Sequence, residues 1–183
     1  MGCRWSVSCA RSPRPEARLP RADETNLFLT ARAPLRAADA VAALLVLEDG
    51  RYVVQLRDAL PNIFYPGHWG CFGGAVDPTE SPLAALEREL AEELEYTVPA
   101  ATEFTRFEFD LSKIGQSKVY RVYFEVAVSF ADFRRFVLHE GAGFEAVDGR
   151  ELLTRPRVTP YDAFAIWLHL SQSRLGNLSE ICV

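Results

Sequence analysis

Apolar residues recur every three or four positions between Ser81 and Leu94, which is the spacing of one face of a helix. Ser81 can cap the free N–H groups of a first turn, and Pro82 suits the first helical position. The pattern predicts an amphipathic helix that starts at Ser81 and Pro82. Its apolar stripe, which we expect to pack against a sheet, consists of Leu83, Leu86, Leu90 and Leu94.

Runs of apolar and alternating residues before and after this helix predict β-strands. A hairpin turn is expected at Asp49 and Gly50, and a second helix is expected from Ala163 to Leu170, with Pro160 near its start. Together the elements indicate an α/β layered domain with a mixed sheet. The predicted strands are Ala38–Leu47, Tyr52–Arg57, Trp69–Phe72, Glu103–Leu111 and Val119–Val128.

Length and composition indicate one globular domain, because 183 residues with 49% hydrophobic side chains can bury an adequate core. We expect residues 1–34 to form a disordered or poorly structured leader, 35–172 the domain, and 173–183 a short C-terminal tail. No apolar run approaches the roughly 20 residues needed to cross a bilayer, and no secretory signal is evident. The sequence therefore predicts a cytoplasmic protein without a membrane partner.

Charge is distributed unevenly along the chain. Residues 1–36 carry seven arginines and three acidic residues, a net charge of +4, which leaves 13 basic and 22 acidic residues, or −9, for the rest. An acidic body argues against a nucleic acid polymer as partner, since binding to a phosphate backbone needs a basic surface. The four cysteines show no CxxC spacing, so neither a disulfide framework nor a zinc site is supported.

Three glutamates, Glu89, Glu92 and Glu93, fall beside the leucine stripe at helical spacing, so their carboxylates can converge. Like charges placed so closely repel, and a hard divalent cation would offset that repulsion. Mg²⁺ prefers oxygen ligands and is often shared with substrate phosphates, and Mn²⁺ accepts similar ligands. The alternative is that this acidic run is only a solvated helix face. The glycines and Glu80 that precede the helix favour the metal site.

The arrangement Gly74-x5-Glu80-x7-Arg88-Glu89-Leu90-x-Glu92-Glu93 resembles the Nudix box, the signature of the Nudix hydrolases. The resemblance implies an α/β/α sandwich over roughly 35–171 and Mg²⁺-dependent hydrolysis of a nucleoside diphosphate linked to another group. It also implies a role for each matching position. Glu92 and Glu93 would be metal ligands, Glu89 a ligand or the base, the Gly73 carbonyl a further ligand, Arg88 an orienting partner, and Gly74 and Glu80 structural supports.

Three positions depart from the box pattern. Glu95 stands where the family has Gly, Tyr96 stands where a small aliphatic residue is usual, and Thr79 replaces a common Gly. A glycine at the first of these positions permits a left-handed cap after the helix. We therefore expect an altered helix end around residues 94–97, with no carboxylate lost.

A further glutamate comes from a late loop in some Nudix enzymes. Glu140, which is followed by Gly141, resembles that residue and could complete the metal coordination or act as base, with Glu145 as its substitute. The base is thus left open between Glu89 and Glu140. The alternative for Glu140 is an exposed loop acid.

Residues outside the box are candidates for substrate contact. Arg57 either meets phosphate or pairs with Asp58 at a strand end, and both remain open. His68, beside a tryptophan, is more typical of a packing residue. Tyr65 and Tyr161 lie beside prolines in expected loops, where they could contact a base or sugar.

The function that these observations favour is Mg²⁺-dependent cleavage of the pyrophosphate linkage in a nucleoside diphosphate derivative, either a nucleoside triphosphate or a nucleotide sugar. The alternative is a catalytically weak Nudix-fold module that binds a nucleotide for regulation. Such modules typically lose box glutamates, whereas Glu89, Glu92 and Glu93 are all present. Monomer and homodimer are both left open.

Overall fold

The computed structural model describes the backbone of residues 35–178 and the side chains of all of these except 114 and 173–178. The leader predicted for residues 1–34 lies outside the described residues. The strands are β1 Ala40–Leu47, β2 Tyr52–Leu56, β3 Trp69–Gly70, β4 Thr102–Asp110, β5 Lys118–Val128 and β6 Gly143–Val147. The helices are α1 Pro82–Leu94, α2 Phe130–Phe133, α3 Gly149–Leu152 and α4 Pro160–Leu178, with a 3-10 turn at Ser112–Ile114.

The strands form one mixed sheet in the order β3-β2-β1-β5-β4, and β6 pairs with β2. β1 runs antiparallel to β2 and parallel to β5, while β4 and β5 are antiparallel. Alternate residues of β1 enter two different hydrophobic clusters, because successive side chains of a strand point to opposite faces. Val41 packs in the cluster that contains α1, and Ala42 packs in the one that contains α4. The predicted α/β/α sandwich is confirmed.

Helix α1 begins as the sequence predicts. The Ser81 hydroxyl accepts a hydrogen bond from the Ala84 N–H at 3.2 Å, and Pro82 occupies the first turn. Leu86, Leu90 and Leu94 are fully buried, but the expectation for Leu83 is wrong, since this side chain is 41% exposed. Helical periodicity fixes the angle of a residue about the axis, but not how far along the axis the sheet extends. Leu83 lies in the first turn, ahead of the buried part of the helix.

The end of α1 also differs from the expectation. Glu95 adopts the left-handed conformation itself, with φ 53° and ψ 34°, and its N–H donates to the Ala91 carbonyl at 3.1 Å. The Tyr96 N–H donates to the Leu90 carbonyl at 3.1 Å, so the helix ends in the cap that a glycine would give. The expectation of an altered helix end is therefore wrong. The Glu95 carboxylate bonds His139 Nε2 at 2.7 Å, which ties the cap to a later loop.

Other boundaries differ from the sequence prediction. The segment of Glu140, which the resemblance implies to be a late loop, runs directly into β6, which begins at Gly143 and pairs with β2 over five residues. Helix α4 starts at Pro160, three residues before the predicted Ala163, and runs to Leu178, past the expected tail boundary at 172. Between residues 35 and 178, no helix is long and apolar enough to span a bilayer.

Candidate active site

The loop at Gly73 and Gly74 lies directly against two glutamates of α1. The Gly73 N–H donates to Glu93 Oε2 at 3.0 Å. Gly73 has φ +126°, and a Cβ there would lie 2.4 Å from the Val41 carbonyl oxygen, so only glycine fits. At Gly74 a Cβ would lie 2.3 Å from Glu89 Oε1. The two glycines thus let the loop backbone touch both carboxylates.

Arg88 connects the loop before α1 to the helix. Its Nε and Nη2 each donate at 3.0 Å to the two carboxylate oxygens of Glu80, a bidentate pair. Its Nη1 donates to Glu89 at 2.9 Å and to Glu92 at 3.3 Å, and Nη2 also donates to the Ala75 carbonyl at 3.0 Å. The Arg88 hydrogen bond lowers the pKa of Glu80. One guanidinium therefore fixes the positions of the loop and of two helix glutamates.

Glu93 is a buried carboxyl, with only 4% of its surface exposed. At about 100° per residue it falls roughly 20° from Leu86, inside the apolar face of α1. Burial raises the pKa of Glu93 to about 8, against the lowering effect of the Gly73 N–H, and the charges of Glu140 and Glu89 raise it further. Burial likewise raises the pKa of Glu89. A cation beside these groups would stabilise their charged forms.

The predicted convergence of three carboxylates is only partly present. Within residues 35–178 no three His, Cys, Asp or Glu side chains lie close enough together to hold a metal ion as they stand. Glu89 and Glu93 meet the glycine loop, while the Glu92 side chain is 62% exposed and bonds Arg88. Arg88 holds the Glu92 carboxylate at 3.3 Å, and the same guanidinium also pairs with Glu80 and Glu89. The donors are nevertheless carboxylate oxygens, which fit Mg²⁺ or Mn²⁺, and Glu92 is free of packing that would prevent its rotation.

The segment that carries Glu140 is held between α1 and β2. The His139 N–H donates to the Glu93 carbonyl at 2.9 Å, and the Ala142 N–H donates to the Leu56 carbonyl at 2.8 Å. Glu140 itself is exposed, and its charge raises the pKa of Glu93. The structure thus brings Glu140 near the glutamates of α1.

Glu145, the expected substitute for Glu140, lies elsewhere. It is in β6, where it pairs with Val54 of β2. Its carboxylate forms an ion pair with Arg155, whose guanidinium carbon lies 5.3 Å from the centre of the Trp69 ring. This carboxylate holds β6 to the segment after α3. The expectation that Glu145 could take the role of Glu140 is therefore wrong.

Arg57 lies close enough to Glu93 and to Tyr161 for its charge to act on both. Its Nε donates to the Phe64 carbonyl at 3.0 Å, and its charge lowers the pKa of both Glu93 and Tyr161 against the raising effect of burial. Asp58, the alternative partner, instead accepts from the Gly141 N–H at 3.3 Å. The structure therefore favours a place for Arg57 beside the site over the strand-end pair.

A cavity of about 900 Å³ opens beside the glycine loop. Gly73 and Gly74 line one end, and Arg57, Tyr65 and Tyr161 line its wall. The Tyr65 and Tyr161 rings meet edge to face, with centroids 5.4 Å apart. Tyr65 also has φ +50°, an uncommon conformation for an aromatic residue. The two tyrosines named from the sequence thus lie together in the same cavity.

The sequence did not predict a buried cluster of polar side chains around Asp162, next to Tyr161. Asp162 is 1% exposed and accepts from the Tyr123 hydroxyl at 2.7 Å, the Thr159 hydroxyl at 2.5 Å and the Cys71 N–H at 3.0 Å. Arg121 Nη2 lies 3.4 Å from the same carboxylate and lines the cavity. No sequence signal marks this group, because its members are distant along the chain. Burial raises the pKa of the Cys71 thiol, which is typical of an unreactive structural cysteine.

Comparison with known proteins agrees with this geometry. The family model described as the NUDIX domain matches residues 36–162. A search of curated proteins finds no match. Among solved structures, the MutT protein from Methanosarcina mazei Go1 is 22% identical, with TM-score 0.60 over 76% of this chain and 96% of that one. The NUDIX domain of Shewanella oneidensis NrtR complexed with ADP ribose is 17% identical, with TM-score 0.56 over 77% and 90%.

A third similar structure is a C. elegans Ap4A hydrolase binary complex, 16% identical, with TM-score 0.54 over 76% of this chain and 99% of that one. At these identities the solved structures establish the shared fold alone. The family model, in contrast, covers more than half of the chain and includes the glycine loop and all of α1.

Proposed function

The chain belongs to the Nudix family of pyrophosphohydrolases, and from that premise we propose that it cleaves the pyrophosphate linkage of a nucleoside triphosphate or a nucleotide sugar with Mg²⁺. The products would be a nucleoside monophosphate and a phosphate-containing partner. Mn²⁺ would replace Mg²⁺, since it accepts the same oxygen ligands.

One observation carries this proposal. Glu93 is a carboxyl placed inside the apolar face of α1 and held by the Gly73 N–H, with Glu89 packed on Gly74 and Glu140 nearby. Burial of a carboxyl costs stability unless a partner compensates it. A solvated acidic face would place these side chains in water, and Glu93 is 4% exposed. A bound cation would compensate the cost of burying the Glu93 carboxyl.

The residues that would hold the metal are Glu89, Glu92 and Glu93 with the Gly73 carbonyl. When bound, the ion neutralises charge on the diphosphate oxygens and lowers the pKa of a coordinated water. Arg88 positions Glu89 through its bond at 2.9 Å and ties it to the loop through Glu80, whereas Glu92 would leave Arg88 to reach the metal.

A base must take a proton from the attacking water. We assign this role to Glu140 rather than Glu89. The Glu89 carboxylate accepts from Arg88 Nη1 at 2.9 Å and packs against Gly74, which limits its movement. Glu140 is exposed on a segment anchored to α1, and its charge already acts on Glu93. A carboxylate in that place can reach a water at the metal without giving up other bonds.

The substrate would lie in the cavity beside the loop. Arg57, which lines this cavity with the glycine loop, would meet a phosphate, and Tyr65 and Tyr161 would contact the base or sugar. The net charge of −9 beyond residue 36 supports a small nucleotide over a nucleic acid polymer. The absence of a paired-cysteine pattern in the sequence is consistent with the cytoplasm as the compartment that we propose.

The decisive experiment incubates the protein with nucleoside triphosphates, nucleotide sugars and dinucleotides, with Mg²⁺, with Mn²⁺ or with chelator, and identifies phosphate-containing products. Glu93→Gln is expected to lower kcat by roughly 100-fold or more, because it removes a ligand charge but little volume. Glu87→Gln is the matched control, since Glu87 is an exposed residue of the same helix. This control is expected to keep full activity.

Each outcome separates the alternatives. Metal-dependent turnover that Glu93→Gln abolishes and Glu87→Gln leaves intact supports the proposed enzyme. Tight binding of one nucleotide without any turnover would favour the regulatory module. Turnover that persists with chelator, or in Glu93→Gln, would contradict the metal site.

A further inference from the structure

Arg121 of β5 lines the cavity next to Tyr161. Gly73 and Gly74 of the glycine loop, Arg57, and Tyr161 of α4 all line this cavity. A diphosphate at the glutamates would therefore direct its nucleoside past Arg57 toward this wall. The inference rests on the proposed function, because it uses that orientation of the substrate.

Arg121 is fixed in position by its neighbours. Its Nε donates to the Tyr123 hydroxyl at 3.1 Å, and its Nη2 forms an ion pair with Asp162 at 3.4 Å. Its guanidinium carbon lies 4.7 Å from the centre of the Tyr161 ring, a cation–π contact. The Arg121 side chain is only 14% exposed. Side chains held from several sides lose little freedom when they bind a ligand.

The partners of Arg121 are themselves held. The Tyr123 hydroxyl donates to Asp162, and the other Asp162 oxygen accepts from Thr159 and from the Cys71 N–H. Cys71 lies two residues before Gly73, so this buried carboxylate joins the cavity wall to the strand that leads into the glycine loop. Asp162 thus acts as a positioning residue for the wall.

Guanidinium chemistry limits what Arg121 can recognise. It has five N–H donors and no acceptor, so its bonds to Tyr123 and Asp162 leave it able to donate further, but never to accept. A base edge with a carbonyl oxygen satisfies such a donor, as guanine and thymine present, whereas adenine and cytosine present an amino donor at the corresponding position. A buried donor that faces another donor is penalised.

We propose that Arg121 is a specificity-determining residue that selects nucleotides whose base carries a carbonyl at purine C6 or pyrimidine C4 over those with an amino group there. Tyr65 and Tyr161 supply aromatic surface that accepts any base, so the discrimination comes from Arg121. The preferred substrates would then be guanine, hypoxanthine, uracil or thymine nucleotides.

Two minimal pairs of ligands test this proposal by binding rather than turnover. IDP and ADP differ at C6, which carries a carbonyl or an amino group, and at the adjacent N1, which is an N–H donor or an acceptor; UDP and CDP differ in the same way at C4 and N3. Isothermal titration with Mg²⁺ is expected to give Kd values about 10-fold or more lower for IDP than ADP and for UDP than CDP. Equal or reversed affinities in the wild-type protein would overturn the proposal, whatever the variants do.

Arg121→Lys keeps a positive charge beside Asp162 but removes the planar fork. We expect the two affinity ratios to fall toward one, because binding of the carbonyl bases weakens while binding of the amino bases does not. Arg155→Lys is the matched control. Arg155 likewise has carboxylate partners, Glu145 and Glu151, and a ring contact, 5.3 Å from the centre of the Trp69 ring, but it does not line the cavity. This control is expected to leave both ratios unchanged.

Further outcomes are informative. An equal loss for all four ligands in Arg121→Lys would place the residue on phosphate or ribose and overturn the base preference. Clear preference for IDP and UDP without turnover of any nucleotide would support the specificity but refute the hydrolase. Turnover without base preference would support the hydrolase but refute the specificity. Thermal unfolding of each variant shows whether the fold is retained, and the wild-type ratios decide the question if a variant unfolds.

Discussion

Gly74→Ala probes the contact between the glycine loop and Glu89. A Cβ at this position would lie 2.3 Å from Glu89 Oε1 and 2.4 Å from Glu89 Cδ, whereas ordinary contacts begin near 3.4 Å. Gly74 is not among the glycines with positive φ, so the alanine backbone itself is unstrained. The carboxylate must therefore move by roughly 1 Å, since it is the end of a flexible side chain.

The cost of that movement should fall on catalysis. A misplacement of about 1 Å at a reacting site lowers the rate by roughly 100-fold, which is about 2.7 kcal/mol of transition-state stabilisation. Stability should change by no more than about 1 kcal/mol, because a Gly to Ala change also reduces the entropy of the unfolded chain. We expect kcat to fall about 100-fold while the melting temperature shifts by only a few degrees.

Steady-state kinetics on the substrate found in the nucleotide panel, with thermal unfolding in parallel, measures both effects. Gly143→Ala is the matched control, since a Cβ there meets nothing within 4 Å. Activity of Gly74→Ala within threefold of that control would refute the reasoning that Glu89 must rest on the loop. Complete unfolding of Gly74→Ala would refute the claim that the Glu89 side chain can move to accommodate the new Cβ.

Three further predictions follow from particular contacts. Glu95→Gly should raise the free energy of unfolding in urea by about 0.5–1 kcal/mol, because relief of the left-handed conformation outweighs loss of the exposed pair with His139. A free energy of unfolding below that of the wild-type protein would contradict the strain at Glu95. Arg88→Lys keeps the charge but loses the fork to Glu80, so kcat should fall by about 10-fold or more, and unchanged kcat would count against its positioning role. Mg²⁺ affinity, followed by titration calorimetry, should rise by up to about tenfold per pH unit below pH 8 and then level off, since the metal must displace the Glu93 proton. A flat profile would contradict a metal-ligating Glu93.

The same carboxyl sets the sign of a stability change in metal-free protein. Its pKa is raised by burial from the model-peptide value of 4.5 to about 8, so the folded state retains a proton that the unfolded state has lost between these values. The contribution of Glu93 is most favourable below the lower value. It is lost as the pH rises toward 8, by up to about 1.4 kcal/mol per pH unit. Urea unfolding of wild type against Glu93→Gln, with chelator present, measures this slope.

Local signals in the sequence sufficed for α1 and for the glycine loop. A capping serine, a proline at the first turn and leucines at helical spacing act within a few residues of one another, so the helix start at Ser81 was predicted correctly. Short elements without periodicity were missed. β6 has only five residues and begins with glycine, and its pairing with β2 depends on a strand far away in sequence.

The site divides in the same way. One helix carries Glu89, Glu92, Glu93 and Arg88, so their spacing in the sequence predicts that they lie close together. Arg121 and Asp162 come together only when β5 and α4 pack, and neither residue type is unusual in its local sequence. At Glu95 the sequence pattern predicted an altered helix end that the structure does not have. Glutamate is atypical for the left-handed conformation, but its bonds to α1 hold Glu95 in it.

The position of Mn²⁺ in crystals soaked with the ion, located by its anomalous scattering, tests the metal site most directly. If the glutamates of α1 hold the metal, a peak is expected at about 2.0–2.2 Å from carboxylate oxygens of Glu93 and at least one of Glu89 and Glu92, with Glu92 released from Arg88. The ion bound elsewhere on the chain, with these carboxylates uncoordinated while activity still required metal, would contradict this site.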